Sequence, residues 1–311
     1  MNFSVVLRYA NQLVVELDHA NRPIRNLGSS FILMKLGMYT ETHEIIFSSN
    51  QVAALRMTIA GLALVPWSLK SFRNLKDVKD LFPLAIVGLC GNFFPAFLFT
   101  FAETGLSSGY TGMLNSFTPI FAIIIGFAFF KNQLNNYQII GLIIGTIGIT
   151  SLSLSGEETD LQASFIHIGS VILATLCYAI SMNTIKFKLS HLKGLEITSM
   201  AFSLVLIPSL ILVLLTGTAS VFKISEHALT GLTYITILSV VGTAFAVFIF
   251  SVLIARSSLL FSSSVTYFIP IFAALIGLIF NEKLNAMQFI SMGIVLSGIY
   301  VANVLERKKT A

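Results

Sequence analysis

Apolar runs of roughly 18 to 24 residues recur from about residue 50 to about residue 305, separated by short polar segments. A run of that length wound as an α-helix rises about 30 Å, which is the thickness of a hydrocarbon core. The chain therefore reads as an all-α polytopic membrane protein. The spans fall near residues 27–40, 50–69, 81–102, 107–130, 137–155, 164–184, 195–217, 228–254, 258–280 and 286–305, about ten in all. The charge content agrees with lipid as the main solvent: 11% of the residues are charged, against about 25% in soluble domains.

The basic residues fix an orientation. With the N-terminus inside, all of the 19 Lys and Arg residues fall on the inner side except Lys223 and Lys283, in outer segments, and Lys35 and Arg56, within or beside spans. The positive-inside rule then puts both termini in the cytoplasm. The net charge of +5 is thus a topology signal and not a nucleic-acid surface, because the cations sit in short connecting segments and not on one amphipathic face.

The beginning of the chain is atypical. Residues 1–26 carry Arg8, Glu16, Asp18, His19, Arg22, Pro23 and Arg25, too many polar groups for a span and without the apolar core of a signal peptide. Phe3 to Leu17 is expected to lie along the membrane surface as an amphipathic helix. The apolar part of the first span, Leu27 to Tyr39, rises only about 20 Å at 1.5 Å per residue, too little to cross unaided.

The two halves echo each other about 150 residues apart. Gly91-Asn-Phe-Phe94-Pro-Ala-Phe97-Leu-Phe99 matches Gly242-Thr-Ala-Phe245-Ala-Val-Phe248-Ile-Phe250, Pro119-Ile-Phe-Ala122 matches Pro270-Ile-Phe-Ala273, and Gln138 and Gly148 meet Gln288 and Gly298. Ordered identities across three helix pairs indicate a duplication. Five spans per half is an odd number, so the second half enters the membrane from the opposite side. The expected fold is two inverted five-helix repeats, 27–155 and 156–311, with a substrate site at midplane between them.

These residues resemble the EamA family of the drug/metabolite transporter superfamily over about residues 27–305. Gly28-Ser29-Ser30-Phe31, Ala53-Ala-Leu-Arg56, the paired Pro119 and Pro270, and Phe280-Asn281-Glu282-Lys283-Leu284 carry the resemblance. The first half has Lys131-Asn132-Gln133-Leu134 where the family has its turn glutamate, and Asn26-Leu27 where it has an aromatic residue before the Gly-Ser-Ser. The resemblance implies ten helices around a central cavity and transport, usually export, of amino acids or other small metabolites across the plasma (bacterial inner) membrane. An intramembrane enzyme or a passive channel is the alternative.

Ionisable residues within spans are functional candidates by default. Lys35 and Arg56 are the clearest, as possible contacts for an anionic group, although both fall toward the outer side, where a long side chain can snorkel to the headgroups. Glu103 is expected at a solvated helix end. Among the uncharged polar and aromatic residues, Phe94, Asn115, Tyr178, Phe245 and Tyr267 are the expected cavity lining. Asn115 and Tyr267 lie one turn before Pro119 and Pro270, where a proline frees a backbone carbonyl. Gly109, Gly112, Gly141, Gly145 and Gly148 are expected to permit close helix approach, and Cys90 and Cys177 to serve as packing residues.

No nucleophile–base pair, metal-ligand cluster or phosphate-cradling loop stands out, so neither a catalytic residue, a metal nor a cofactor is expected. The expected partners are a small-molecule substrate and the lipid bilayer, with no nucleic acid; the sequence leaves the oligomeric state open and is compatible with a monomer. No Asp, Glu or His falls near mid-membrane in these spans. The expectation is facilitated movement down the substrate gradient, with proton coupling through Glu103 as the competing reading.

Overall fold

The computed structural model describes residues 30–256, apart from residues 41, 43, 74, 76 and 116 and the segments 131–135 and 155–160, together with residues 285–310. The expected interfacial segment, the ninth span with Tyr267 and Pro270, and both turn sequences lie outside the described residues.

What is described is helical, apart from an isolated bridge between Tyr39 and Ile45. The helices of the first half are α1 (Ser30–Met38), α2 (Ser49–Arg73), α3 (Leu81–Gly88), α4 (Phe94–Ala102), α5 (Ser108–Leu114), α6 (Phe117–Phe130) and α7 (Asn136–Leu154). Those of the second are α8 (Leu161–Lys188), α9 (Gly194–Leu215), α10 (Thr218–Ile224), α11 (Ala228–Ser239), α12 (Ala246–Arg256) and α13 (Ala286–Thr310). Among the described residues, six continuous helical stretches are long and apolar enough to cross a membrane: Ser49–Arg73, Val78–Ala102, Ser108–Phe130, Phe165–Lys188, Gly194–Leu215 and Ala228–Val252. Their outward faces carry Leu62, Phe129, Ile207, Leu214 and Leu215 exposed. So much apolar surface is a liability in water and a requirement in lipid.

The repeats meet through their equivalent helices, and these run antiparallel. On α2 and α9, Ser71 and Ser199 share a hydrogen bond of 3.1 Å near one end, while the Gln51 amide donates to the Thr216 carbonyl at the other (2.9 Å). On α7 and α13, Ser151 meets Ser291 at 2.8 Å and Gly145 lies against Gly298. Two equivalent helices that cross in opposite directions require a twofold axis in the membrane plane, which is an inverted repeat. The remaining contacts exchange accordingly. Helix α11 packs on α1 as α3 and α4 pack on α8, and α12 packs on α9 as α4 packs on α2.

Within lipid the hydrophobic effect does not draw helices together, so close backbone approach and interhelical hydrogen bonds must. Gly298 shows the first device. A Cβ there would lie 2.5 Å from the Gly145 amide nitrogen and 2.7 Å from the Gly141 carbonyl oxygen. Gly141, Gly145 and Gly148 therefore line the seam between the two halves, as their spacing predicts.

Both repeats break regular α geometry at the duplicated motif. The helix widens into a π-turn at Leu89–Phe93 in the first half and at Val240–Phe245 in the second. Pro95 explains the first, since it has no N–H to give the Gly91 carbonyl. At each turn an equivalent polar side chain donates to the carbonyl five residues back: Asn92 Nδ2 to Val87 (3.2 Å) and Thr243 Oγ1 to Leu238 (2.9 Å). Such π-turns are frequent at functional sites.

Candidate functional site

Arg56 enters the site from the first third of α2, about 10 Å along the helix from Ser49. It does not snorkel outward. The side chain is 8% exposed, and its Nε donates to the Thr243 hydroxyl at 2.7 Å while Nη1 reaches the Met34 sulfur at 3.5 Å. Thr243 sits about 22 Å along its span from Ala228, so the guanidinium is aimed at mid-membrane. The Thr243 hydroxyl is satisfied on both sides, since it accepts from Arg56 and donates to Leu238. An arginine of the first repeat is thus docked onto the π-turn of the second.

Aromatic side chains form one wall beside it. Phe31 of α1 meets Phe99 of α4 edge-on at 5.5 Å, and Phe99 stacks on Tyr178 of α8 at 5.7 Å. The guanidinium is within electrostatic reach of the Tyr178 phenol and of the Glu103 carboxylate. Glu103 follows the last residue of α4 and is 2% exposed. This corrects the expectation of a solvated carboxyl group: the end of α4 is covered by its neighbours, and Glu103 lies inside the protein. The cluster combines cation, carboxylate, phenol and apolar wall, the chemistry of a site for a small amphipathic solute.

The other sequence candidates are distributed differently. Asn115 is buried at the break between α5 and α6, where it accepts a hydrogen bond from the Thr118 hydroxyl at 3.2 Å. Its backbone carbonyl is taken by the Thr118 N–H at 3.1 Å, the local tightening that Pro119 leaves room for. Phe94 and Phe245 occupy equivalent places at the two π-turns but stand out from the core, 45% and 59% exposed. Each packs against its own helix, on Phe93 at 5.7 Å and Phe248 at 6.5 Å. Lys35 is partly buried in the last turn of α1. Cys90 and Cys177, distant in sequence, come together across the repeats as free cysteines whose thiols are near enough to interact. Thr243, Phe31 and Phe99 were not singled out as site residues by sequence reasoning; the duplicated Gly91 and Gly242 motifs held the signal for Thr243 and Phe99.

Groups that could work outside the membrane core are tied to structure. His167 stacks on Phe101 at 4.8 Å and meets the Thr104 hydroxyl at 3.2 Å. His191 reaches Asp80 at 2.8 Å, joining the α8–α9 connection to the start of the third span. Among the described residues no group of His, Cys, Asp and Glu is arranged to hold a metal ion.

Comparison with known proteins agrees with the two-repeat fold. The model of the EamA-like transporter family matches twice, at residues 27–154 and 166–304. The chain belongs to the EamA-like transporter family. Members similar to it include an uncharacterized transporter of Acidianus ambivalens, 24% identical over 82% of this chain and 93% of that one. Another, from Synechocystis, is 26% identical over 91% and 88% of the two chains, and YetK of Bacillus subtilis is 22% identical over 92% and 86%. A solved crystal structure superposes with a TM-score of 0.60 at 14% identity, covering 92% of this EamA-like chain and 95% of its own, which is a likeness of fold. This EamA-like protein is therefore an integral membrane transporter with a two-repeat helical fold.

Proposed function

We propose that the protein exports small metabolites, such as amino acids, by alternating access through a cavity between its two repeats, in a plasma (bacterial inner) membrane with both termini cytoplasmic. The observation that carries this reading is the Arg56 side chain. A charge buried in a membrane protein is costly unless it is used or paired, and here it is held by Thr243 at the junction of two repeats that can rock against each other. Arg56 and Tyr178 bind the solute. Asn115, Phe94 and Phe245 shape its path at the α5–α6 break and the two π-turns, Tyr267 is a further lining residue, and Lys35 is a second charged contact near the outer mouth. The orientation rests on the cations Lys70, Arg73, Lys79, Lys186, Lys188 and Lys193, which end the helices and connections around the His191–Asp80 pair.

The test is reconstitution into liposomes with a metabolite panel loaded on one side. Saturable flux with counterflow, directed from the cytoplasmic face outward, is the expected result. Flux that never saturates and shows no counterflow would make the protein a channel, and the absence of movement for every metabolite would remove the transport reading.

A further inference from the structure

The proposed transport leaves open how a solute held by a side chain of the first repeat moves the second. Resting on the reading of Arg56 as a solute-binding residue, we propose that Thr243 is the positioning residue that couples the two. Its hydroxyl holds the Arg56 guanidinium only while the Val240–Phe245 turn keeps its π form, and a solute carboxylate that draws the guanidinium away releases the turn.

The argument starts from the reach of one hydroxyl. In regular α-turns a Ser or Thr hydroxyl donates three or four residues back, as Thr184 does to Ile180 (2.8 Å), Ser209 to Val205 (2.6 Å), Thr236 to Leu232 (2.8 Å) and Ser239 to Ile235 (2.6 Å). Thr243 donates five residues back, to the Leu238 carbonyl at 2.9 Å, a reach matched to the i→i+5 spacing of a π-turn. Were the turn to rewind as α, the hydroxyl would swing to the carbonyl of Ser239, four residues back. Its single proton is spent on Leu238, and its lone pairs are left to accept from Arg56 Nε at 2.7 Å. Arg56 therefore rests on an acceptor that the widened turn holds in place.

The turn stands where a change of winding becomes movement. It joins α11, which packs on α1, to α12, which packs on α9, so rewinding re-aims one half-span against the other. Arg56 also reaches the Met34 sulfur of α1 at 3.5 Å, and a thioether is a weak acceptor. A carboxylate binds a guanidinium in bidentate fashion and more strongly than a neutral acceptor does. Docking of a solute carboxylate thus frees Met34 and Thr243 together. A ligand shifts a conformational equilibrium only through contacts that differ between the states, and the Arg56–Thr243 bond is such a contact. The first half lacks the counterpart. Asn92 makes the same five-residue reach to Val87 at 3.2 Å, but α9, the equivalent of α2, contains no Arg or Lys. The coupling therefore acts on the second turn alone.

The experiment uses the full chain with L-leucine as the probe: its carboxylate suits the guanidinium, and its isobutyl chain suits the wall of Phe31, Phe99 and Tyr178. In lipid nanodiscs, leucine is expected to speed hydrogen–deuterium exchange of the wild type across Val240–Phe245 and to leave Leu89–Phe93 unchanged. This comparison needs no variant, and slower or unchanged exchange at the second turn would overturn the proposal. In proteoliposomes at equal monodispersity, Thr243→Val is expected to lower the maximal rate of leucine counterflow by at least about tenfold, the worth of a hydrogen bond to a charged group. Half-saturation should stay within about threefold, because the solute meets the guanidinium and not the hydroxyl. Thr243→Ser is expected to recover most of the rate. The control, Thr236→Val, removes a hydroxyl bonded within its own helix and should match the wild type. A Thr243→Val protein that keeps the wild-type rate, a loss confined to half-saturation, or a wild type that does not move leucine would overturn the proposal. The transport reading is decided separately, by whether any metabolite of the panel crosses the liposome membrane.

Discussion

Placing a methyl group at Gly298 should loosen the seam between the two repeats. A Cβ at this position lies 2.5 Å from the Gly145 nitrogen, 2.7 Å from the Gly141 oxygen and 2.9 Å from the Gly145 Cα. All three are backbone atoms that cannot rotate away, and ordinary contact begins near 3.4 Å. Helix α13 must therefore retreat from α7 by about 0.9 Å, a gap that forfeits a quarter to a half of each dispersion contact it opens. Overpacking of this kind costs about 1–3 kcal/mol. Alanine also gains about 1 kcal/mol of helix propensity over glycine, so the control is Gly293→Ala on the same helix, where a Cβ meets nothing within 4 Å. Helix propensity is common to both variants, and their difference isolates the clash. Reversible unfolding in mixed micelles should place Gly298→Ala below Gly293→Ala by about 1–3 kcal/mol. Equal stability of the two within about 0.5 kcal/mol would mean that the glycine seam is not the contact described.

Three further outcomes are expected. Thr243→Val removes the acceptor for the Arg56 Nε and should cost about 1.5–3 kcal/mol in the same unfolding assay, with Thr243→Ser restoring most of it; an unchanged Thr243→Val protein would show that the bond does not hold Arg56. A double-mutant cycle on Ser151 and Ser291, 2.8 Å apart, should give a coupling of about 0.6 kcal/mol and no more than about 1.7, and zero coupling would contradict the pairing. Single cysteines at positions 131 and 193 should be labelled from the same, cytoplasmic side; labelling from opposite sides would break the inverted topology.

The fold was readable because its causes are written locally. Runs of lipid-compatible length set the spans, and the spacing of Gly91 from Gly242 exposed the repeat. The antiparallel contacts of Ser71 with Ser199 and of Ser151 with Ser291 are what that repeat requires. The site was legible in part. Arg56 and Tyr178 stand out as polar groups in apolar runs, but the direction of a long side chain is not encoded by its position. Arg56 turns inward because Thr243 and Met34 offer partners there, and those lie 187 and 22 residues away along the chain. Glu103 follows the same logic in reverse. A residue at a helix end reads as solvated until the helices that cover it are assembled. Cys90 and Cys177 likewise meet only through the packing of α8 on the first π-turn.

The central claim is that the Arg56 guanidinium, aimed at mid-membrane between the repeats, is the seat of solute binding. Counterflow in proteoliposomes tests it most directly, comparing the wild type with Arg56→Gln at equal protein content and equal monodispersity. Removing a buried charge on which an oppositely charged solute group docks costs about 2–5 kcal/mol of binding, and each 1.4 kcal/mol is tenfold. The account predicts saturable counterflow in the wild type that falls by at least about thirtyfold in the variant. Counterflow that survives Arg56→Gln at wild-type rate and half-saturation would contradict it.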